Sequence, residues 1–402
     1  MADNAAQQIR KILISGAGIA GPTLAWWLAH YGFEPTLVEC APTLRRGGYI
    51  VDFWGTGFEV AQRMGLESEL RELGYDVAEV RIVNAQGKRC GGFSADVFRD
   101  ATEGKYTSIA RGDLSGAIYR RIQGRVETLF GDSVRSIAQD DAGVLVQFEQ
   151  APERRFDLVV AADGLHSRVR ELTFGDQSRF EKPLGYTVAA FESRGYRPRD
   201  EDVYIGYGRP GQQIARFSMR DDRSMFLFTF AHDLTTANGL PDTAEVKRIL
   251  HSQFDDGGWE CAQILAAMDG VGEIYFDRVS QIHMPTWSQG RVGLLGDAAS
   301  CPSLLAGEGS ALAMTQAYVL AGELKAAAGD HRVAFAAYER RLREFIDTKQ
   351  RDAVKFAGAF VPRTAFGLFA RNQISRALAF RPVANYFIGR GLIDNFELPD
   401  YR

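Results

Sequence analysis

The chain has 402 residues, 46% of them hydrophobic, enough to bury a full core and to build more than one structural unit. Its formal net charge of −4 speaks against the basic field that nucleic-acid binding needs. Its four cysteines (Cys40, Cys90, Cys261 and Cys301) lack the paired spacing of a zinc site or a disulfide frame. The first residues show no signal-peptide core and no run reaches 18 uninterrupted apolar residues, so a cytoplasmic protein with reduced thiols is expected.

Lys11–Ser15 is predicted as a strand and Pro22–Tyr31 as a helix, with Pro22 in the first turn and Gly32 just past the end. Phe33–Val38 follows as a second strand. The turn between strand and helix reads Gly16-x-Gly18-x-x-Gly21, and Glu39 stands 23 residues after Gly16. Gly16 permits the tight turn, Gly18 lets amides approach a pyrophosphate, and Gly21 permits close helix–strand packing. The helix N-terminus adds donors and partial positive charge, and Glu39 can accept from two ribose hydroxyls. A glycine pattern alone is a tight βα turn; with strand, helix and acid in register it predicts dinucleotide binding.

Arg111-Gly112-Asp113-Leu114 opens a helix of apolar period Leu114, Ile118, Ile122, where an isolated Arg reads equally well as a surface residue. Phe156–Ala162 is a continuous apolar strand that delivers Asp163-Gly164 to a loop, followed by Ser167, Arg168 and Arg170. The plainer reading there is a strand end, a turn and a basic helix start. Between about 180 and 275 the texture changes to short aromatic and β-branched runs: Tyr186–Glu192, Val203–Tyr207, Gln213–Met219 and Ser224–Phe230. These predict an antiparallel sheet inserted into the α/β unit; on alternate residues Tyr204, Tyr207, Phe217, Phe226 and Phe228 would suit a flat apolar or aromatic ligand, and core packing explains most of them equally well.

At Val292–Leu295 an apolar run ends in Gly296-Asp297, then Gly307, Glu308 and Gly309 precede a helix-like segment from Ala311. A buried parallel strand would place Asp297 at its carboxyl end, where open α/β sheets bind ligands. From Val333 the chain reads as helices with apolar and basic residues interleaved, packing as a cap across both domains rather than lying on a membrane surface. No Ser-His-Asp set or metal-ligand cluster stands out, and His166, His232 and His283 read as structural or exposed.

With these motifs in this order, the chain resembles the FAD-dependent aromatic hydroxylases of the para-hydroxybenzoate hydroxylase fold over roughly residues 10–345. It is most similar to the branch of tetracycline-inactivating monooxygenases, through Gly257–Trp259, Gly290–Ser303 and Ala317–Leu324. The resemblance implies a Rossmann-like FAD-binding domain (10–175 and 276–345), an antiparallel substrate domain (176–275) and C-terminal helices (346–402). It implies tightly bound FAD, held at Gly16, Gly18, Ala20, Gly21, Glu39 and Arg46. Arg111 would meet the pyrophosphate or ribityl region, and Asp163 and Gly164 would lie near the pyrophosphate, with Asp163 helping NAD(P)H to engage. Gly296 and Asp297 would bind the ribityl chain, and Gly307 and Gly309 would approach the isoalloxazine. NADPH or NADH would act as a transient co-substrate, and dioxygen would deliver one atom to an aromatic or polycyclic small molecule through a flavin C4a-hydroperoxide. The chain departs from the family at Ser300, Leu304, Glu308 and Ala311, where His, Pro, Gln and Asn are usual. Competing readings are a same-fold reductase of polyprenyl or other olefins and a flavoprotein without turnover. The halogenase WxWxIP motif is absent among the five Trp.

Overall fold

The computed structural model describes residues 10–45, 49–232, 241–380, 383 and 394–401. β1 (Lys11–Ser15) runs parallel to Leu158–Ala161 on one side and to β2 (Glu34–Glu39) on the other. Val292–Leu294 and Glu127–Phe130 extend this sheet in parallel, and the short Ser288–Gln289 strand closes one edge. Ile12, Leu13, Ile14 and Leu158–Ala161 are wholly buried, so these strands read as continuous apolar runs instead of alternating ones. The helix α1 (Ala20–His30) starts two residues before Pro22 and packs against the nearly all-buried Gly309–Ala326 helix. The turns after β1, Ala161 and Leu294 thus emerge together at the carboxyl edge of one parallel sheet.

A second sheet has seven strands in the order Tyr275–Ile282, Glu181–Arg194, Arg223–Phe230, Gln212–Met219, Val203–Arg209, Glu79–Val83 and Arg89–Ser94. It therefore recruits the 79–94 hairpin from far upstream of the aromatic stretch that announces it. All its pairings are antiparallel except Val203–Arg209 with Glu79–Val83. Its back face is covered by two helices, Thr243–Phe254 and Cys261–Asp269, within a region expected to be strands only. A capping pattern announces the first: Asp242 Oδ1 accepts from the Glu245 amide at 2.8 Å, and Val246, Leu250 and Phe254 follow at fourfold spacing.

Strand alternation divides the five aromatics expected to face a ligand. Tyr204 and Phe217 point toward the nucleotide domain, whereas Tyr207, Phe226 and Phe228 pack on the back-face helices. Core packing, the equal alternative, therefore holds Tyr207, Phe226 and Phe228, because residues an odd number apart on a strand point to opposite faces. Between the two sheets lies a ribbon of β3 (Ile50–Trp54) and Tyr106–Ala110, followed by the helix α2 (Gly55–Arg63). Val51 and Phe53 join the nucleotide-domain core while Ile50 joins the cluster under the seven-stranded sheet.

A single helix, His331–Phe360, runs through residue 345 without a break, so a boundary at that point falls in mid-helix. Ala365–Ala377 then crosses the edge of the seven-stranded sheet, where Ser375 Oγ accepts from the Gly92 amide at 3.2 Å. Residues 394–401 return to the nucleotide domain, with Tyr401 against Tyr318. Among the described residues no helix is long and apolar enough to cross a membrane.

Candidate functional site

Gly16 adopts φ +105° and donates its amide to Val38 O at 2.7 Å; a Cβ there would sit 2.4 Å from Ala162 O. A Cβ on Gly21 would lie 1.9 Å from Gly16 O. Both glycines are therefore demanded by backbone packing. Gly18 differs: a Cβ there would meet only the Arg111 guanidinium, at 3.6 Å. Its backbone remains open at the N-terminus of α1. Ala20 is buried beneath the second loop, where a Cβ on Gly296 would come within 3.2 Å of the Ala20 methyl. Glu39 accepts from the amides of Ala17 (2.8 Å) and Ala41 (2.9 Å), one on each oxygen. A carboxylate has further lone pairs, so capacity remains for hydroxyl donors.

Asp163 is turned into its own loop. Its carboxylate accepts from Ser167 Oγ (2.5 Å) and the Val169 amide (3.1 Å), at the start of the Arg168–Phe174 helix. Burial pushes its carboxyl above the usual range, against those hydrogen bonds. Gly164 beside it has φ +82° and nothing within 4 Å of an added Cβ. The wholly buried Arg170 ties this loop to the next, donating to Leu165 O (2.6 Å) and Ala298 O (3.1 Å).

Gly296, at φ +60°, donates its amide to Gln316 Oε1 at 3.0 Å; Gln316 Nε2 donates to Ser300 Oγ at 3.1 Å. The Tyr338 hydroxyl also donates to Gln316 Oε1, at 3.0 Å. Ser300 thus fills the usual His position as a partner of the turn-holding glutamine. Burial raises the Asp297 carboxyl and the nearby Arg111 charge opposes that rise. A Cβ on Gly309 would lie 3.7 Å from Asp297 Oδ1. Tyr49 faces both, its phenol pushed up to about 12 by burial, and its ring lies 6.0 Å from that of Tyr275. Gly307 is left-handed at φ +71° and open, with nothing within 4 Å of an added Cβ. Arg46 lies outside the described residues.

The remaining departures have local reasons. The Glu308 carboxylate pairs with Lys349 Nζ at 2.9 Å, and the same ammonium pairs with Asp394 Oδ1 at 2.7 Å. Asp394 Oδ2 accepts from the Thr56 amide at 2.8 Å, at the start of α2. Burial pushes the Glu308 carboxyl up despite Lys349, because one cation serves two carboxylates. Ala311 seats against α2, where a Cβ on Gly57 would lie 2.3 Å from the Ala311 Cα. Leu304 joins Leu305 and Tyr186 in an apolar cluster.

Sequence reasoning missed Tyr49, Gln316, Lys349 and Asp394. Gln316 carries a signal, being a lone amide in the apolar run ALAMTQAYVLA; Lys349 and Asp394 carry none. The open backbone at Gly18, Gly164 and Gly307, with Arg111 and Asp297 between, fits an elongated cofactor that needs close backbone approach at a phosphate and again at a ring.

A family model described as FAD binding domain matches residues 10–346. A flavin-dependent monooxygenase from an unknown prokaryotic organism is 33% identical over 402 residues, 98% of this chain and 99% of its own. Another from Legionella longbeachae is 34% identical over 372 residues, covering 92% of each chain. The crystal structure of tetracycline destructase Tet(55) aligns with a TM-score of 0.82 at 32% identity, over 98% of this chain and 100% of that one. Klebsiella pneumoniae HpxO complexed with FAD and uric acid aligns with a TM-score of 0.78 at 21% identity, over 97% of each chain, a likeness of fold.

Proposed function

The chain belongs to the FAD binding domain family and is an FAD-dependent monooxygenase; we propose that it takes electrons from NADPH or NADH and inserts one oxygen atom into an aromatic or polycyclic small molecule. The observation that supports this reading most is Arg111 beside Gly18 and Asp297 beside Gly309, with open space at Gly164 and Gly307. Bound FAD supplies the electron transfer and the activation of dioxygen, chemistry that no side chain provides.

The chain's own residues bind, orient and exclude water. The Gly18 backbone and the start of α1 offer amides and a helix dipole to a pyrophosphate. Glu39 takes ribose hydroxyls on its remaining lone pairs. Arg111 places positive charge beside the phosphates, and Asp297 accepts from the polyol chain. Gly164 lets a phosphate or an incoming nicotinamide donor approach, while Asp163 shapes that loop from within. Gly307 and Gly309 bring backbone to the ring. Opposite, Ile50, Phe217, Met219 and Met225 form an apolar wall that limits water.

The substrate class rests on that wall and on the likeness to proteins named tetracycline destructases. The test is a screen of phenolic and polycyclic compounds, tetracycline among them, for those that accelerate NADPH or NADH oxidation. A product heavier by one oxygen is expected. A purified protein that takes up no FAD, or one whose donor oxidation no compound stimulates, would overturn the reading.

A further inference from the structure

Asp52 is the one charged residue in β3, and it is exposed between the buried Val51 and Phe53. Strand alternation sends it to the same side as Ile50, which packs under the seven-stranded sheet with Phe217, Met219 and Met225. Asp52 therefore faces the gap between the two sheets. Its cross-strand partner is Ser108, and Tyr106 lies opposite Trp54 on the same ribbon.

Two hydroxyls converge on one oxygen of this carboxylate. Tyr106 Oη donates to Oδ1 at 2.6 Å and Ser108 Oγ donates to the same atom at 2.5 Å. Both donors are buried. Oδ2 receives no hydrogen bond among the described residues. A purely structural role for Asp52 explains Oδ1 and leaves Oδ2 without a purpose, since a hydroxyl pair would be equally served by an uncharged acceptor. Burial raises the Asp52 carboxyl even though the side chain reaches open space. That combination marks a group lining an enclosed gap rather than the outer surface.

The surroundings are aromatic. Tyr204 feels the Asp52 charge, and its phenol is held well above the ordinary range by burial first and by Asp52 second, so it remains a donor. Tyr204 stacks on Phe217 with centroids 5.5 Å apart, and Phe98 stacks on Tyr106 at the same separation. Arg99 acts on the Tyr106 phenol. It pairs with Asp96, so it does not neutralise Asp52.

We propose that Asp52 Oδ2 is the specificity-determining acceptor of this site, taking a hydrogen bond from the hydroxyl of a phenolic substrate whose ring lies against Tyr204 and Phe217. This rests on the aromatic-substrate reading above and narrows it to rings that carry a hydroxyl. The contact fixes which edge of the ring points to β3. It also moves electron density from the hydroxyl into the ring, enriching the ortho and para carbons, the positions an electrophilic oxygen attacks. A methyl ether of the same ring cannot donate, and on binding it would cover the exposed carboxylate oxygen without giving it a partner, a loss worth more than the absent contact alone.

The test uses the FAD-loaded enzyme and a matched probe pair, 2-naphthol and 2-methoxynaphthalene, with binding followed by perturbation of the flavin absorbance. The wild type is expected to prefer the naphthol about tenfold or more, the lower range for a hydrogen bond to a charged acceptor. In Asp52→Asn, Tyr106 and Ser108 still claim Oδ1, so the amide nitrogen must replace Oδ2 and the acceptor becomes a donor. The preference should vanish or reverse, with ether affinity within about twofold of wild type and FAD content unchanged. Asp52→Ala should lose the preference in the same way. Equal binding of both probes by the wild type, or a retained preference in either variant, would overturn the proposal; so would loss of ether binding together with naphthol binding. Because the readout needs neither a nicotinamide donor nor oxygen, its failure is distinct from a failure to form oxygenated product.

Discussion

The two ends of the proposed cofactor site are held by different physics. At the proposed nucleotide end, Gly16 and Gly21 are fixed because backbone occupies the place a Cβ would take, Ala162 O at Gly16 and Gly16 O at Gly21. At the ring end, Gly307–Ala311 is held by Glu308–Lys349–Asp394, a charge cluster joining three distant segments. The first arrangement tolerates almost no change and rests on uncharged backbone alone. The second depends on one ammonium balancing two partly buried carboxylates, so it is tunable and asymmetric. A site built this way can keep its cofactor grip constant while the substrate face varies.

The largest expected effect breaks the first end. In Gly21→Ala the new methyl would sit 1.9 Å from Gly16 O, against backbone that cannot rotate away. The helix must shift off the strand, and strain of at least about 1–3 kcal/mol falls on the phosphate turn itself. The variant should purify without yellow colour, and flavin content after reconstitution checks it. Retained stoichiometric FAD would show that the turn is looser than its packing.

Next is the ring end. Lys349→Met leaves Glu308 and Asp394 buried without their cation, at a cost of about 3–5 kcal/mol. The sign with pH follows from Glu308, whose folded pKa already lies above its ordinary value and would rise further without Lys349. A raised carboxyl pKa means the folded state binds the proton more tightly than the unfolded state. Its stability is present below the ordinary carboxylate range and lost as pH rises through the folded pKa. The gap in Tm between wild type and Lys349→Met should therefore be wide at pH 8 and narrow toward pH 5. The further change Glu308→Gln should recover part of it at pH 8. A gap independent of pH would remove the charge-cluster account.

This difference in physics also explains how much the sequence disclosed. The parallel strands, the glycine turn and the order of the loops were readable because each rests on local rules: buried runs, a turn that admits only glycine, an acid at a strand end. The helix Thr243–Phe254 was readable in principle from Asp242 and Glu245 but was masked by its aromatic, strand-rich neighbourhood. The faces of Tyr207, Phe226 and Phe228 stayed open between ligand and core because alternation alone does not say which face meets a helix. Lys349, Asp394 and Asp52 were not readable at all. Their roles come from pairings 41, 338 and 56 positions along the chain, with Glu308, Thr56 and Ser108 in turn. No spacing rule encodes such separations.

A smaller effect lies between the two ends, at Gln316. Its side chain accepts from the Gly296 amide and the Tyr338 hydroxyl and donates to Ser300. Gln316→Leu keeps the volume, strands the Gly296 amide and removes a partner from the Ser300 and Tyr338 hydroxyls, the latter keeping Leu294 O, at a cost of about 1–3 kcal/mol. Because Gly296 aims Asp297, FAD affinity should fall together with Tm. A lower Tm with unchanged FAD affinity would mean that the turn is set by Gly296 alone.

The smallest effect calibrates the rest. Asp242 caps the Thr243–Phe254 helix on the back face of the substrate sheet, through the Glu245 amide. Asp242→Ala should lower stability by about 1 kcal/mol while leaving flavin content and the naphthol preference as in wild type. The face it supports carries Phe226 and Phe228, which pack on helix side chains and not on the gap that Asp52 faces. If this substitution changed probe selectivity, the two faces of the sheet would be coupled. The contrast between a fixed nucleotide end and a tunable ring end would then need a third, movable element in the sheet itself.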